Sequence, residues 1–288
     1  MPLIGVIKEI WRYPVKSMAG EQLTRSMVGA KGVYGDRGWA LRDEQAKEIR
    51  GAKKMPQLLL CSASYREEPS DARIPHAAIQ LPDGVQLGSD HPEINVRLSA
   101  LLGRTVTLWP QQPASNTEHY RRGVPDNPDL MLELRELFGR TPDEPIPDLS
   151  VFPKEIFEFT SPPGTYFDAF PLHLLTTATL TMLAQQNPSA RWASQRFRPN
   201  FVIDTAPEFS GLVENDWCNR TLRIGALTIQ CSLPTPRCVM TTLAQPGLEK
   251  DPSVLRTIVR EANQNVGVYA TVLTPGQVSV GDTVELLP

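Results

Sequence analysis

The sequence predicts an α+β fold, rich in β-structure and arranged in two lobes, and three observations point there. Proline accounts for 27 of 288 residues, above the usual roughly 5%. It is spread along the chain, which cuts the sequence into short elements and leaves little room for long helices. Short runs of alternating apolar and polar residues recur between turn residues, as half-buried strands do. A chain of this length has interior enough for one large or two ordinary domains.

The first element is Ile4 to Trp11, β-branched and apolar, which stops at Tyr13-Pro14. It reads as a strand entering a loop, and Lys16 and Ser17 fall on that loop. Asp129 to Phe138 carries Leu130, Leu134 and Leu137 at helical spacing and ends at Gly139, so it predicts a helix. Arg140 to Thr165 holds six prolines and little periodicity, the pattern of a long surface connection or a lid. A second helix runs from about Thr176 through Leu180 and Leu183 to Gln186, capped by Thr176 or Thr177 and ended by Asn187-Pro188. A third starts at Asp251-Pro252, with Val254, Leu255, Ile258, Val259 and Ala262 as its apolar stripe.

Strands fill the carboxyl-terminal part. Leu227, Ile229 and Cys231 alternate with Thr228 and Gln230. Val278, Val280, Val284 and Leu286 alternate around Gly281-Asp282, and both stretches predict hairpins. Between them Val266, Val268, Ala270 and Val272 share a face, which sends Tyr269 to the other side. Several short strands of this kind predict a barrel. No internal repeat or coiled-coil heptad occurs.

Composition excludes several functions. Lys and Arg total 29 against 32 Asp and Glu, a net charge of -3, so no global basic field holds nucleic acid or anionic lipid. Any anion is held locally. Lys8, Glu9 and Arg12 interrupt the apolar stretch within Met1 to Lys16, which argues against a signal peptide or a membrane span. The four cysteines, Cys61, Cys218, Cys231 and Cys238, show no paired framework. They predict a reducing compartment, by default the cytoplasm.

Four segments carry candidate chemistry. In Leu233 to Thr242 the thiol of Cys238 follows the guanidinium of Arg237, the setting of a metal ligand or a nucleophile. Tyr13-Pro14-Val15-Lys16-Ser17 and Arg196-Phe197-Arg198-Pro199-Asn200 each join fixed cations to turn-forming prolines. Gly35-Asp36-Arg37-Gly38-Trp39 sets an acid beside a base, so that Asp36 can orient a buried Arg37 toward phosphate or carboxylate. His76, His91, His119 and His173 are isolated and no zinc-site spacing occurs, so these histidines read as surface or packing residues. Cys218 and Cys231 read as packing residues as well.

Taken in order with Leu174 to Leu180, these motifs resemble the MOSC family of molybdenum-cofactor proteins. The likeness spans nearly the whole chain and is greatest to the amidoxime-reducing members. The resemblance implies an N-terminal MOSC-type β-barrel domain over residues 1–115 and a C-terminal MOSC β-barrel domain with a few helices over residues 116–288. It implies that Cys238 ligates molybdenum through sulfur, a soft ligand suited to that metal. Lys16, Ser17, Arg37, Thr176, Arg198, Asn200, Arg237 and Tyr269 fall at positions that bind the molybdenum cofactor, Mo-molybdopterin, while Arg196 reads as a solvated neighbour.

The implied activity is a molybdenum-dependent oxidoreductase that reduces N-hydroxylated small molecules such as amidoximes, hydroxylamines and N-hydroxylated bases. No Cys-x4-Cys-x2-Cys pattern supplies a fused ferredoxin domain. Electrons are therefore expected from a separate electron-transfer protein of ferredoxin or flavoprotein type. Met18 after Lys-Ser and Leu243-Ala244-Gln245-Pro246 after Thr-Thr depart from the family pattern and bear on substrate range. The alternative is a non-redox cofactor-binding or sulfur-carrier protein that uses Cys238, and a barrel that has lost the metal is a third option.

Overall fold

Residues 3–288 are described by a computed structural model; Met1 and Pro2, at the start of the predicted first domain, lie outside the described residues. Ile4, Ile7 and Ile10 of the strand Leu3–Arg12 are buried in one core. That strand is a stave of a closed seven-strand barrel. Around the ring the order is Phe201–Thr205, Leu172–Thr176, Asn265–Thr274, Leu227–Pro236, Thr221–Ile224, Thr283–Leu286 and Leu3–Arg12, which pairs again with Phe201–Thr205. Leu172–Thr176 and Phe201–Thr205 run parallel; the other ring pairs are antiparallel. Closure removes the exposed edges that an open sheet leaves. Gly5 is required in the first stave, because a Cβ there would meet the Asp204 carbonyl oxygen at 2.0 Å.

The barrel thus draws staves from both ends of the chain. A second core, with Val15, Met18, Leu41, Leu58, Ile79 and Leu98, belongs to residues 15–108. Two small antiparallel sheets enclose it: Trp39–Asp43 with Glu48–Arg50 and Val106–Pro110, and Ser62–Tyr65 with Ala77–Gln80 and Gln86–Gly88. The helix Ile94–Leu102 packs there too. It escaped the sequence reading because Glu93 makes no side-chain cap to announce it.

The three predicted helices form at Leu130–Phe138, Thr177–Gln186 and Pro252–Glu261. Asp129, Thr176 and Asp251 cap them through side-chain oxygens, and Gly139 ends the first in the left-handed region. One predicted hairpin is corrected. Gly276–Ser279 pairs with Arg25–Gly29, whereas Thr283–Leu286 pairs with Leu3–Arg12 and Thr221–Ile224. The alternation was real, but Gly281-Asp282 turns the chain from one sheet into another. Among the described residues no helix is long and apolar enough to cross a membrane.

Candidate functional site

Where the barrel meets the second core, loops enclose a cavity of about 780 Å³. Of the predicted residues, Lys16, Ser17, Arg37, Arg198, Asn200, Arg237, Cys238 and Tyr269 line it. Thr176 does not. Its hydroxyl is fully buried, accepts from the Thr179 N–H at 3.1 Å as a helix cap, and donates to Glu214 Oε2 at 2.7 Å.

The cationic wall is organised around Tyr13, which the strand Leu3–Arg12 delivers to the site. The guanidinium carbons of Arg37 and Arg198 lie 4.8 Å and 4.1 Å from the centroid of its ring. The ring face attracts each cation, while the two like charges repel each other. Burial, and then the neighbouring Arg37, pull the Arg198 pKa down to about 10. Asp36 offsets part of this charge: it accepts from the Tyr13 N–H at 2.8 Å, from Asn200 Nδ2 at 3.0 Å and from Arg37 Nη1. The expected role of Asp36 in orienting Arg37 is therefore visible, and the same carboxylate also fixes Asn200.

Three of these residues have left-handed backbones although none is glycine: Ser17 at φ 69°, Arg37 at φ 48° and Arg198 at φ 55°. Each such residue costs about 1–3 kcal/mol and persists only where its surroundings over-determine it. Arg198 Nη1 donates to the Met18 carbonyl at 2.6 Å, and Ser17 Oγ accepts from the Ala52 N–H at 2.9 Å. Arg237 Nη2 donates to the Phe197 carbonyl at 2.8 Å. Arg198 Nη2 and Arg237 Nε are buried and have no partner among the described residues. Buried donors are rarely left so, which makes both nitrogens signals of an acceptor that the protein itself does not provide.

Lys16 is held by Asp168 Oδ1 at 2.6 Å, the Tyr166 carbonyl at 2.7 Å and Ser161 Oγ at 3.2 Å. Burial lowers its pKa, with Asp168 opposing. Asp168 sits half-exposed at the cavity and also lies 3.6 Å from Lys53. Burial alone would raise its pKa, but Lys16 and Lys53 outweigh that and hold the carboxyl well below its usual range. Lys53 in turn is raised, first by Asp168.

The Cys238 thiol is free and partly exposed where the strand Leu227–Pro236 has ended. Its carbonyl accepts from the Thr241 N–H at 3.2 Å and Thr241 Oγ1 at 3.1 Å, which fixes the turn Val239–Thr242 beyond it. Lys53, Arg237 and Tyr269 line the same cavity as the Cys238 thiol. Tyr269 does point away from its valine neighbours and lines the cavity. Burial, and then Asp168, push its pKa up to about 12. Its ring stacks on Phe170 at 5.1 Å and meets Phe152 at 6.4 Å.

Two sequence expectations change. Arg196 is buried, not solvated: it donates to the carbonyls of Arg191, Thr241 and Glu249 and so ties down the turn after Cys238. His173 lines the cavity, and burial followed by Arg237 lowers its pKa well below the ordinary value. Tyr13, Lys53, Asp168 and Arg140 also belong to the site. Tyr13 stood within a motif; the other three have no local pattern that marks them. Cys231 lies in the barrel core and Cys218 packs against it, as packing residues do.

Three guanidiniums, two ammoniums, an amide and a hydroxyl around one cavity suit an anionic, acceptor-rich ligand, and the adjacent thiol suits a soft metal. Residues 4–112 match the MOSC N-terminal beta barrel domain and residues 163–285 match the MOSC domain. The chain is 26% identical to the human mitochondrial amidoxime reducing component 2 over 83% of this chain and 67% of that protein. It is 24% identical to the bovine protein of the same name over 98% of this chain and 83% of that one. Among solved structures, the YUAD protein from Bacillus subtilis superposes with a TM-score of 0.44 at 12% identity, over 98% of this chain and 94% of that chain. YiiM from Geobacillus stearothermophilus gives a TM-score of 0.32 at 18% identity over 41% and 55%. With both domain matches in order along the chain, this protein belongs to the MOSC family, in the form that carries the N-terminal β-barrel domain ahead of the MOSC domain.

Proposed function

We propose that the cavity binds the molybdenum cofactor and that the protein reduces N-hydroxylated compounds with electrons from a separate electron-transfer protein. The observation that carries this reading is the gathering of Cys238, Lys16, Ser17, Arg37, Arg198, Asn200, Arg237 and Tyr269 around one cavity. The unpartnered buried nitrogens of Arg198 and Arg237 fit a ligand that brings acceptors. The names of the curated relatives support the reductase class. The predicted division at residues 115 and 116 falls in the stretch that neither domain description covers. Four free thiols support a reducing compartment.

Lys16, Arg37 and Arg198 would hold the phosphate and pterin, Asn200 and Ser17 would add hydrogen bonds, and the Cys238 thiolate would ligate the metal. Thr176 would act through the helix it caps, since its hydroxyl is turned to Glu214. When bound, the cofactor supplies two-electron redox chemistry at a metal that accepts oxygen. For an amidoxime the N–O bond breaks, two electrons and two protons enter, and an amidine and water leave. At neutral pH the Tyr269 phenol stays protonated and offers an O–H to the cavity, while Lys53 stays an ammonium. His173, held neutral by burial, adds no charge.

Molybdenum and pterin content in protein from cofactor-competent cells, wild type against Cys238→Ala, tests the site. We expect near-stoichiometric metal in the wild type and its loss or altered spectroscopy in the variant. Loaded wild type supplied with a reduced donor protein and benzamidoxime is expected to yield the amidine. Full loading without turnover, with labile sulfur on Cys238, would instead favour the sulfur-carrier reading.

A further inference from the structure

The cavity has a second wall of opposite chemistry. Leu130, Leu134, Leu137, Phe152, Ile156 and Phe157 line it, all within residues 113–162, the stretch that neither domain description covers. The charged residues which that stretch brings to the cavity are already engaged: Arg121 with Glu158, Arg122 with the Ile156 and Phe159 carbonyls, and Asp126 and Glu133 with Arg50 and Lys54. None of the six is buried as a core residue is, and Leu130 and Phe157 are 62% and 56% exposed. Apolar side chains left open around a concave site mark a surface kept for a ligand.

This wall is pinned in place. Tyr120 and Phe159 are buried with Ala40, Ile49 and Tyr166 in a small core of their own. Arg50 holds Asp126 at 2.6 Å, Glu48 accepts from the Gly123 N–H at 2.7 Å, and Lys54 pairs with Glu133. At the far end Arg140, itself buried, donates to the carbonyl of Arg237 at 3.0 Å, one residue from Cys238. A preformed surface needs little ordering when a ligand arrives.

The two walls meet at the aromatic group Phe152, Phe170 and Tyr269. A phosphate and a polar heterocycle find donors on the cationic wall and none on the six apolar side chains, where their acceptors would be stranded. A cavity of about 780 Å³ lies in the upper part of the usual range for ligand sites, roughly 300–1,000 Å³, and has room for a second molecule.

We infer that the segment 113–162 forms an apolar subsite for the hydrophobic body of the substrate, an aromatic or aliphatic group that carries the N-hydroxylated end toward Cys238. The choice of reacting end rests on the reductase reading; binding of the apolar body does not. The subsite ranks substrates by the apolar surface they bring.

The holoprotein tests this with benzamidoxime and hydroxylamine as paired substrates in wild type, Phe152→Ala and Phe157→Ser. The ratio of their kcat/KM values should fall about tenfold in Phe152→Ala and about threefold in Phe157→Ser, through KM for benzamidoxime. Unchanged metal and pterin content shows that the variants fold. Calorimetric titration of the oxidised holoprotein without electron donor, using benzamidoxime against acetamidoxime, reads the subsite without turnover. Tighter binding of benzamidoxime with a negative heat-capacity change, weakened in Phe152→Ala, is the expected result. If neither substrate is reduced but this binding pattern holds, the reductase reading fails and the subsite stands. Equal binding of the two amidoximes, or an unaltered ratio in both variants, overturns the subsite whatever the turnover.

Discussion

The two walls of the cavity are built by opposite means. The cationic wall gathers side chains from four distant stretches, around Lys16, Arg37, Arg198 and Arg237, each of them at most half-exposed. It holds Ser17, Arg37 and Arg198 in left-handed backbone and leaves two buried nitrogens unpartnered. The apolar wall is one continuous stretch with its capped helix, its prolines and many exposed side chains. It is fastened at its edges by ion pairs and a few buried anchors. Pre-organised charge is a cost to the fold that Asp36 and Asp168 offset in part and that a bound anion offsets further. An apolar wall at the periphery carries no such cost and can change without disturbing the barrel.

If that contrast holds, Arg198→Met separates function from stability. The variant loses a cation beside Arg37 and an unpartnered buried N–H, and it also loses the 2.6 Å bond to the Met18 carbonyl. Pterin content should fall by more than about tenfold. The melting temperature of the cofactor-free protein should move by no more than about 3 °C, because the losses and the relief nearly cancel. A drop of about 8 °C or more in the cofactor-free form would show that Arg198 is a structural tie and would break the comparison.

The next effect is a dependence on acid. His173 lies on the cationic side, with Arg237, Arg37 and Tyr269 as its charged or titratable neighbours, and its Nε2 is 3.3 Å from the Val266 carbonyl. Burial and Arg237 keep its imidazole neutral in the folded protein well below the unfolded value of about 6.5. Below that pH the unfolded chain takes up a proton that the folded one refuses. Stability is thus present above about pH 6.5 and is lost as pH falls toward the folded pKa. Melting temperature followed from pH 7 to about 5 should decline less steeply in His173→Gln than in wild type. Parallel curves would move the acid sensitivity to other groups.

What the sequence revealed follows the same division. Helix ends were legible because Asp129, Thr176 and Asp251 are local signals acting within three residues. The cations and Cys238 were legible because they sit in short motifs whose order resembles a known family. Closure of the barrel by Leu3–Arg12 was not, since pairing between residues nearly two hundred positions apart leaves no local trace. The hairpin expected around Gly281-Asp282 failed for the same reason: alternation tells which face is buried, not which strand is the neighbour. Arg196 read as solvated because its partners are backbone carbonyls, which have no sequence signature. Of the apolar wall, Leu130, Leu134 and Leu137 read as a helix, whereas Phe152, Ile156 and Phe157 read as a connection because their stretch has the period of neither a helix nor a strand; that both line one cavity leaves no local trace.

The smallest expected effect tests how local that wall is. The helix Leu130–Phe138 has nine residues, too short to stand without its caps or its packing. Asp129 Oδ1 accepts from the N–H groups of Met131 at 2.9 Å and Leu132 at 3.2 Å. Asp129→Ala should cost about 1 kcal/mol locally, so hydrogen exchange at residues 131–133 should quicken about fivefold. Because the wall is fastened to the second core at its edges and does not form part of the barrel, the main melting transition should shift by less than about 1 °C. A full loss of the local stability from the global transition would mean that the wall and the barrel unfold as one unit. The apolar wall would then be part of the same cooperative structure as the cationic one, and its sequence could not vary independently of the site.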